Sequence, residues 1–196
     1  MSPPVRRAEA GYTLVELLTV LTIFTVVMTT LVSLFVQGSN AQLDLNRRFE
    51  AQQGARVALD KLRREVHCAQ GGTTLPAGTV TSMIQLDMPG QCPSAVNGQQ
   101  TNVRWCAVQV ASGRYALYRK LGTTCDTAGV QWADNLTTAS VFQYQAPTAT
   151  NKARLYVSLL VDVDPGDAVP AYRLCDQITL RNTRRTGAAN TPLPPC

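Results

Sequence analysis

The sequence predicts an α+β fold, a long N-terminal helix packed on an antiparallel β-sheet head. Three observations predict it. An uncharged apolar run opens at Leu17, passes Phe24 and closes at Val36, with no Pro or Gly inside it. No Pro occurs between Val5 and Leu75, so a helix begun in that run can continue far past it. Beyond Gly72 the texture changes to short apolar and aromatic runs broken by Gly, Pro, Asn and Ser, the pattern of strands and turns.

The apolar run is 20 residues long. At about 1.5 Å per residue it covers about 30 Å, the thickness of a bilayer's hydrocarbon core. A helix buried in a soluble protein would normally show a polar stripe. The polar residues here are five Thr and one Ser, whose hydroxyls can bond back to the helix backbone. The run therefore reads as a membrane span. Arg6 and Arg7 before it favour a cytoplasmic N-terminus, and Arg47 and Arg48 beyond it weaken that argument. An N-in anchor places the chain from about residue 37 outward of the cytoplasm. A cleavable secretory signal is the competitor, but its apolar region is shorter and it ends in a small-x-small site. Ser39 to Ala41 matches that site poorly.

From Leu45 the positions Phe49, Ala55, Ala58, Leu59, Leu62 and Val66 fall near helical spacing. The charges Arg47, Arg48, Glu50, Arg56, Asp60, Lys61, Arg63, Arg64 and Glu65 fill the rest. This half of the helix is amphipathic and packs one face on a head. Gly38 and Gly54 are expected bends, and Gly71-Gly72 is the expected end.

Strands are expected near residues 80–88, 103–110, 114–121, 140–145, 153–163 and 172–180. Ser112-Gly113 fits a tight hairpin turn, with Val110 opposite Tyr115 and Val108 opposite Leu117. No helical pattern separates the strands, so the sheet is expected to be antiparallel. The residues after 185 read as an irregular tail.

Glu16 stands at the lip of the apolar run. A carboxylate entering hydrocarbon is costly unless a cation meets it, and its own span offers none. The free amine of a neighbouring subunit would serve if the chain were cut after Gly11. The segment RRAEAGYTLVELLTVLTIF resembles the N-terminal signal of type IV pilins and type II secretion pseudopilins. That family has a short basic leader, a Gly before the cut, an aromatic first mature residue and T-L-x-E-L-L. Here these are Gly11, Tyr12, Thr13, Leu14, Glu16, Leu17 and Leu18. The family usually has Phe where this chain has Tyr12. Many major pilins carry a kinking Pro where this chain has Ser33, which suggests a minor component.

The resemblance implies a pilin-like fold and a filament subunit. It implies that prepilin peptidase cuts after Gly11 and methylates Tyr12. It implies that Glu16 serves assembly with other pilin or pseudopilin subunits on an inner-membrane platform. The segments become a leader (1–11), an assembly half-helix (12–36), an amphipathic half-helix (37–70), a β head (71–185) and a tail (186–196). Arg56 to Leu59 and the phrases YALYRKL and ITLRN also resemble W-type minor pilins and J-type minor pseudopilins. The rival from another class is a signal-anchored binding domain that does not polymerise.

All six cysteines, Cys68, Cys92, Cys106, Cys125, Cys175 and Cys196, lie beyond the span. An even count in an extracytoplasmic domain reads as disulfides, though spacing alone does not choose among pairings. Cys106–Cys125, which closes the hairpin region, is the pairing the strand reading favours. Zinc needs close Cys pairs, and the shortest spacing here is 14 residues. His67 is the single histidine and is adjacent to Cys68 on a helix, where neighbours do not face each other.

Asp162, Asp164 and Asp167 surround Pro165-Gly166. They read as a solvated turn, with calcium as the alternative. Position twelve from Asp162 is Arg173 rather than Glu, so the loop is no EF-hand. Arg181, Arg184 and Arg185 give a basic cluster. The formal net charge of +5 resides in the ectodomain, as a solvated basic face or a surface for DNA or another polyanion. An apolar fraction of 45% excludes a disordered chain. No Ser-His pairing, phosphate loop or cofactor motif is present, so the sequence points to neither an enzyme nor a cofactor.

Overall fold

The computed structural model describes residues 11–70, 78–166 and 169–184, together with Pro194. Two compact units divide the chain, one ending at Asn46 and one starting at Arg47. A single helix, α1 (Leu14–Cys68), begins in the first and ends in the second.

In the first unit every residue from Gly11 to Leu43 is exposed. The hydroxyls of this segment bond back to their own helix. Thr19 donates to the Glu16 carbonyl at 2.9 Å, Thr22 to Thr19 at 2.8 Å and Thr25 to Thr22 at 2.8 Å. Thr29 donates to Thr25 at 2.7 Å and Ser33 to Thr29 at 2.9 Å. Hydroxyls satisfied in this way need no water, so the helix can meet an apolar surrounding along its whole surface. By length and composition α1 is able to cross a membrane.

In the second unit α1 buries Ala51, Ala55, Ala58, Leu59, Leu62, Glu65 and Val66. The three-four spacing puts them on one face, and the alanines let the sheet approach closely. Gly38 and Gly54, expected as bends, both lie inside uninterrupted helix. A Cβ at residue 54 would sit 3.7 Å from the Trp132 carbonyl oxygen, an ordinary contact. Helix α1 stops at Cys68; Gly71-Gly72 and the tail after 185 lie outside the described residues, Pro194 excepted.

Among the described residues eight strands form one sheet: β1 (Val80–Thr81), β2 (Met83–Met88), β3 (Thr101–Ala111), β4 (Arg114–Leu121), β5 (Val130–Leu136), β6 (Phe142–Gln145), β7 (Arg154–Val161) and β8 (Tyr172–Thr179). The order is β1-β6-β7-β5-β4-β3-β2, with β8 also on β7. Each recorded pairing is antiparallel, as expected without intervening helices. Ile84, Leu86, Trp105, Leu117, Leu136, Phe142, Leu155, Leu159 and Ile178 join the buried face of α1 in one core. Each fully buried aliphatic side chain contributes about 1.5–3 kcal/mol.

Three expectations are corrected. The run 80–88 is two strands, because β1 pairs with β6 whereas β2 pairs with β3. Strand β5 was not expected at all. Asp134 and Asn135 read as breakers, yet Asn135 sits at φ 53° in an irregular stretch of the β4–β5 ladder, which absorbs it. The hairpin register also differs. Ala111 faces Arg114 across Ser112-Gly113, but Gln109 faces Tyr115, Val108 faces Ala116 and Ala107 faces Leu117. Val110 is the extra residue of a bulge and is exposed, so the β3 residues before it sit one place off the simple two-residue register.

Candidate processing and assembly site

Gly11 and Tyr12 precede the helix and are exposed. Thr13 caps α1: its Oγ1 accepts the Glu16 N–H at 3.3 Å and its carbonyl accepts the Leu17 N–H at 3.2 Å. Thr13 and Glu16 have the spacing of a capping box, S/T-x-x-E, a signal present in the sequence itself. The box places Glu16 in the first turn, where a carboxylate meets the positive end of the helix dipole. Among the described residues no cation pairs with Glu16.

The second acid of interest on α1 was missed. Glu65 was expected among the solvent-facing charges, and it is 1% exposed. Trp105 Nε1 donates to its Oε2 at 2.7 Å and Arg119 Nε donates to its Oε1 at 2.9 Å. Lys61 Nζ lies 3.3 Å from the same Oε1. One carboxylate thus ties α1 to β3 and β4. The signal was present: Glu65 follows Ala58 by one heptad and Ala51 by two, on the stripe that packs inward. A charge on that stripe is tolerable because the sheet brings cations to it. The Trp105 and Trp132 rings lie 5.8 Å apart, tilted at 47°, and pack in the core beside this network.

Two bridges join pairs of described cysteines. Cys106 is bonded to Cys125 and Cys68 to Cys92. The first lies on the outer face of the sheet with Ala116 and Tyr118, and the second ties the end of α1 to the β2–β3 loop. Cys175 is also disulfide-bonded, while Cys196 lies outside the described residues. Near the first bridge, hydrogen bonds from Lys120 (2.7 Å) and from the Ala128 N–H (2.9 Å) hold the Asp126 carboxyl below its ordinary range. Burial alone pushes the Tyr144 phenol up.

The described aspartates of the 162–166 turn bond within it. Asp162 Oδ1 accepts the Asp164 N–H at 3.1 Å and Asp164 Oδ1 accepts the Gly166 N–H at 3.2 Å, so both caps are used within the turn. Asp167 lies outside the described residues, as does Arg185. Among the described residues no three His, Cys, Asp or Glu side chains converge to hold a metal. Arg181 offers its carbonyl to Lys152 Nζ.

A family model described as the prokaryotic N-terminal methylation motif matches residues 6–32. The matched segment contains Gly11, Tyr12, Thr13 and Glu16 and extends most of the way through the apolar run. No curated protein and no solved structure matches the chain.

Proposed function

We propose that this chain, which carries the methylation signal of type IV pilins and pseudopilins at residues 6–32, is a minor subunit of an extracytoplasmic filament. The signal marks a prepilin-peptidase substrate and points to a structural subunit rather than an enzyme. The apolar helix beside it is consistent with a single-pass membrane anchor. On our reading the precursor inserts with Arg6 and Arg7 on the cytoplasmic side, is cut after Gly11 and is methylated on Tyr12. Glu16 then meets the Tyr12 amine of an adjacent subunit. In hydrocarbon an unpaired carboxylate costs several kcal/mol, so that pairing is a strong reason for one subunit to seek another. The Thr- and Val-rich surface of α1 packs on neighbouring helices, and the β head contacts partner subunits or caps the filament. The assembly platform of the inner membrane extracts the subunit.

The observation that carries this reading is the coincidence of the matched motif with a half-helix that is apolar, exposed and internally satisfied. The filament is a type IV pilus, a competence pilus or a type II secretion pseudopilus. The length of the chain and the β-region phrases favour a W-type or J-type minor component.

Mass spectrometry of the mature protein tests the reading. An N-methyl-Tyr12 terminus is expected, with Gly11→Val left unprocessed and Glu16→Ala processed but poorly incorporated. An intact leader in cells with active peptidase would sink the proposal and leave a signal-anchored domain that does not polymerise.

A further inference from the structure

Two asparagines among the described residues have positive φ, Asn97 and Asn135, both at 53°. Their surroundings are opposite. The Asn135 side-chain oxygen accepts from Arg114 Nη1 at 3.2 Å, and its carbonyl accepts the Asp162 N–H at 2.8 Å. Leu136, which follows it, is fully buried. Asn97 and Gly98 are both exposed in the β2–β3 loop. Gly98 has φ 68°, and the Gln99 N–H bonds the Val96 carbonyl at 3.0 Å, so residues 96–99 close a turn with two left-handed central residues. Of the asparagines in the chain, Asn97 alone precedes a glycine.

We infer that Asn97 is a self-modifying site. The Gly98 backbone nitrogen gives up its proton and attacks the Asn97 Cγ; the new C–N bond closes a five-membered succinimide as the Cγ–Nδ2 bond breaks, and the amide nitrogen takes up the proton and leaves as ammonia. Water then adds to either succinimide carbonyl, giving aspartate or isoaspartate. The step needs no reactant beyond solvent water. It does need the backbone to rotate until the nitrogen faces Cγ. Glycine places no side chain in the way and lowers the cost of that rotation. At Asn135 the Arg114 bond holds the side chain and the buried Leu136 blocks the nitrogen.

The consequence is local and physical. Isoaspartate adds a methylene to the backbone, which breaks the Gln99–Val96 closure. The tip also has a close neighbour: a Cβ on Gly90 would stand 1.9 Å from the Gly98 carbonyl oxygen. The same loop carries Cys92, bonded to Cys68 at the end of α1, so the loop stays attached while its tip changes shape and gains a carboxylate.

The full-length chain in detergent, aged at mildly alkaline pH and peptide-mapped by mass spectrometry, tests this. The peptide containing Asn97 is expected to gain one mass unit and to accept label from an isoaspartyl methyltransferase, several-fold faster than the peptide containing Asn135. Asn97→Gln abolishes the label and Gly98→Ala slows it several-fold. The melting transition of each variant reports separately that the head is folded. An unchanged Asn97, or equal rates at Asn97 and Asn135, overturns the inference.

Discussion

Residues 14–46 and 47–68 belong to one helix and solve opposite problems. In the first stretch residues 17–36 expose an apolar surface on all sides; the second buries a single stripe beneath a β-sheet. Their glutamates show the contrast most sharply. Glu16 is exposed at the helix start and lacks a cationic partner among the described residues, whereas Glu65 is enclosed by Trp105, Arg119 and Lys61. A helix with a finished interface carries its own counter-ions. On the proposed reading, Glu16 receives its counter-ion from another subunit.

The largest expected effect comes from breaking the finished side. Glu65→Ala strands two cations and an indole N–H, at a cost of about 3–5 kcal/mol, a fall in Tm of roughly 10 °C by thermal melting. Glu16→Ala, melted in parallel, should leave the head transition where it was; a matching fall would erase the contrast. Next comes packing. Leu62→Ala should cost about 2–5 kcal/mol by denaturant titration, because the core around it cannot collapse fully. Leu18→Ala should cost the head nothing by the same titration.

Replacing Cys106 and Cys125 together by Ala should remove about 2–4 kcal/mol, read from the shift in denaturation midpoint. Thr13→Ala removes the cap of the exposed half and should cost about 1 kcal/mol of helix stability, seen as fraying of the first turn by hydrogen exchange. The smallest effect belongs to Asp126. Its pKa is depressed by Lys120, so its contribution is present above the ordinary value of 3.8 and fades as pH falls through the lower folded value. The carboxyl is half exposed and screened by water, so Asp126→Asn should barely alter an acid-denaturation curve.

Much of the fold was legible because it depends on local patterns. Helix length followed from the absence of Pro up to Leu75, and the uncharged run showed where its surroundings change. Six strand segments stood out by β-branched and aromatic content, and the Ser112-Gly113 turn pointed to the Cys106–Cys125 bridge. Strand β5 was hidden because its Asp and Asn argue locally against a strand, and only pairing to β4 overrides them. The hairpin register was hidden because one bulged residue, Val110, is not marked by any residue type. Within the matched motif, Gly11, Tyr12 and Glu16 were readable as a signal, and the T-x-x-E spacing also marks Thr13 as a cap.

The sequence by itself determined the two halves of α1, the chemistry of the N-terminal signal and the antiparallel character of the head. These rest on composition and short-range period, which the chain carries wherever it is placed. Tertiary structure alone decided that Glu65 is interior, that β1 leaves β2 to join β6, and which cysteines meet. Each of those depends on residues far apart in the chain arriving at one place, and a buried charge becomes acceptable only once its partners have arrived.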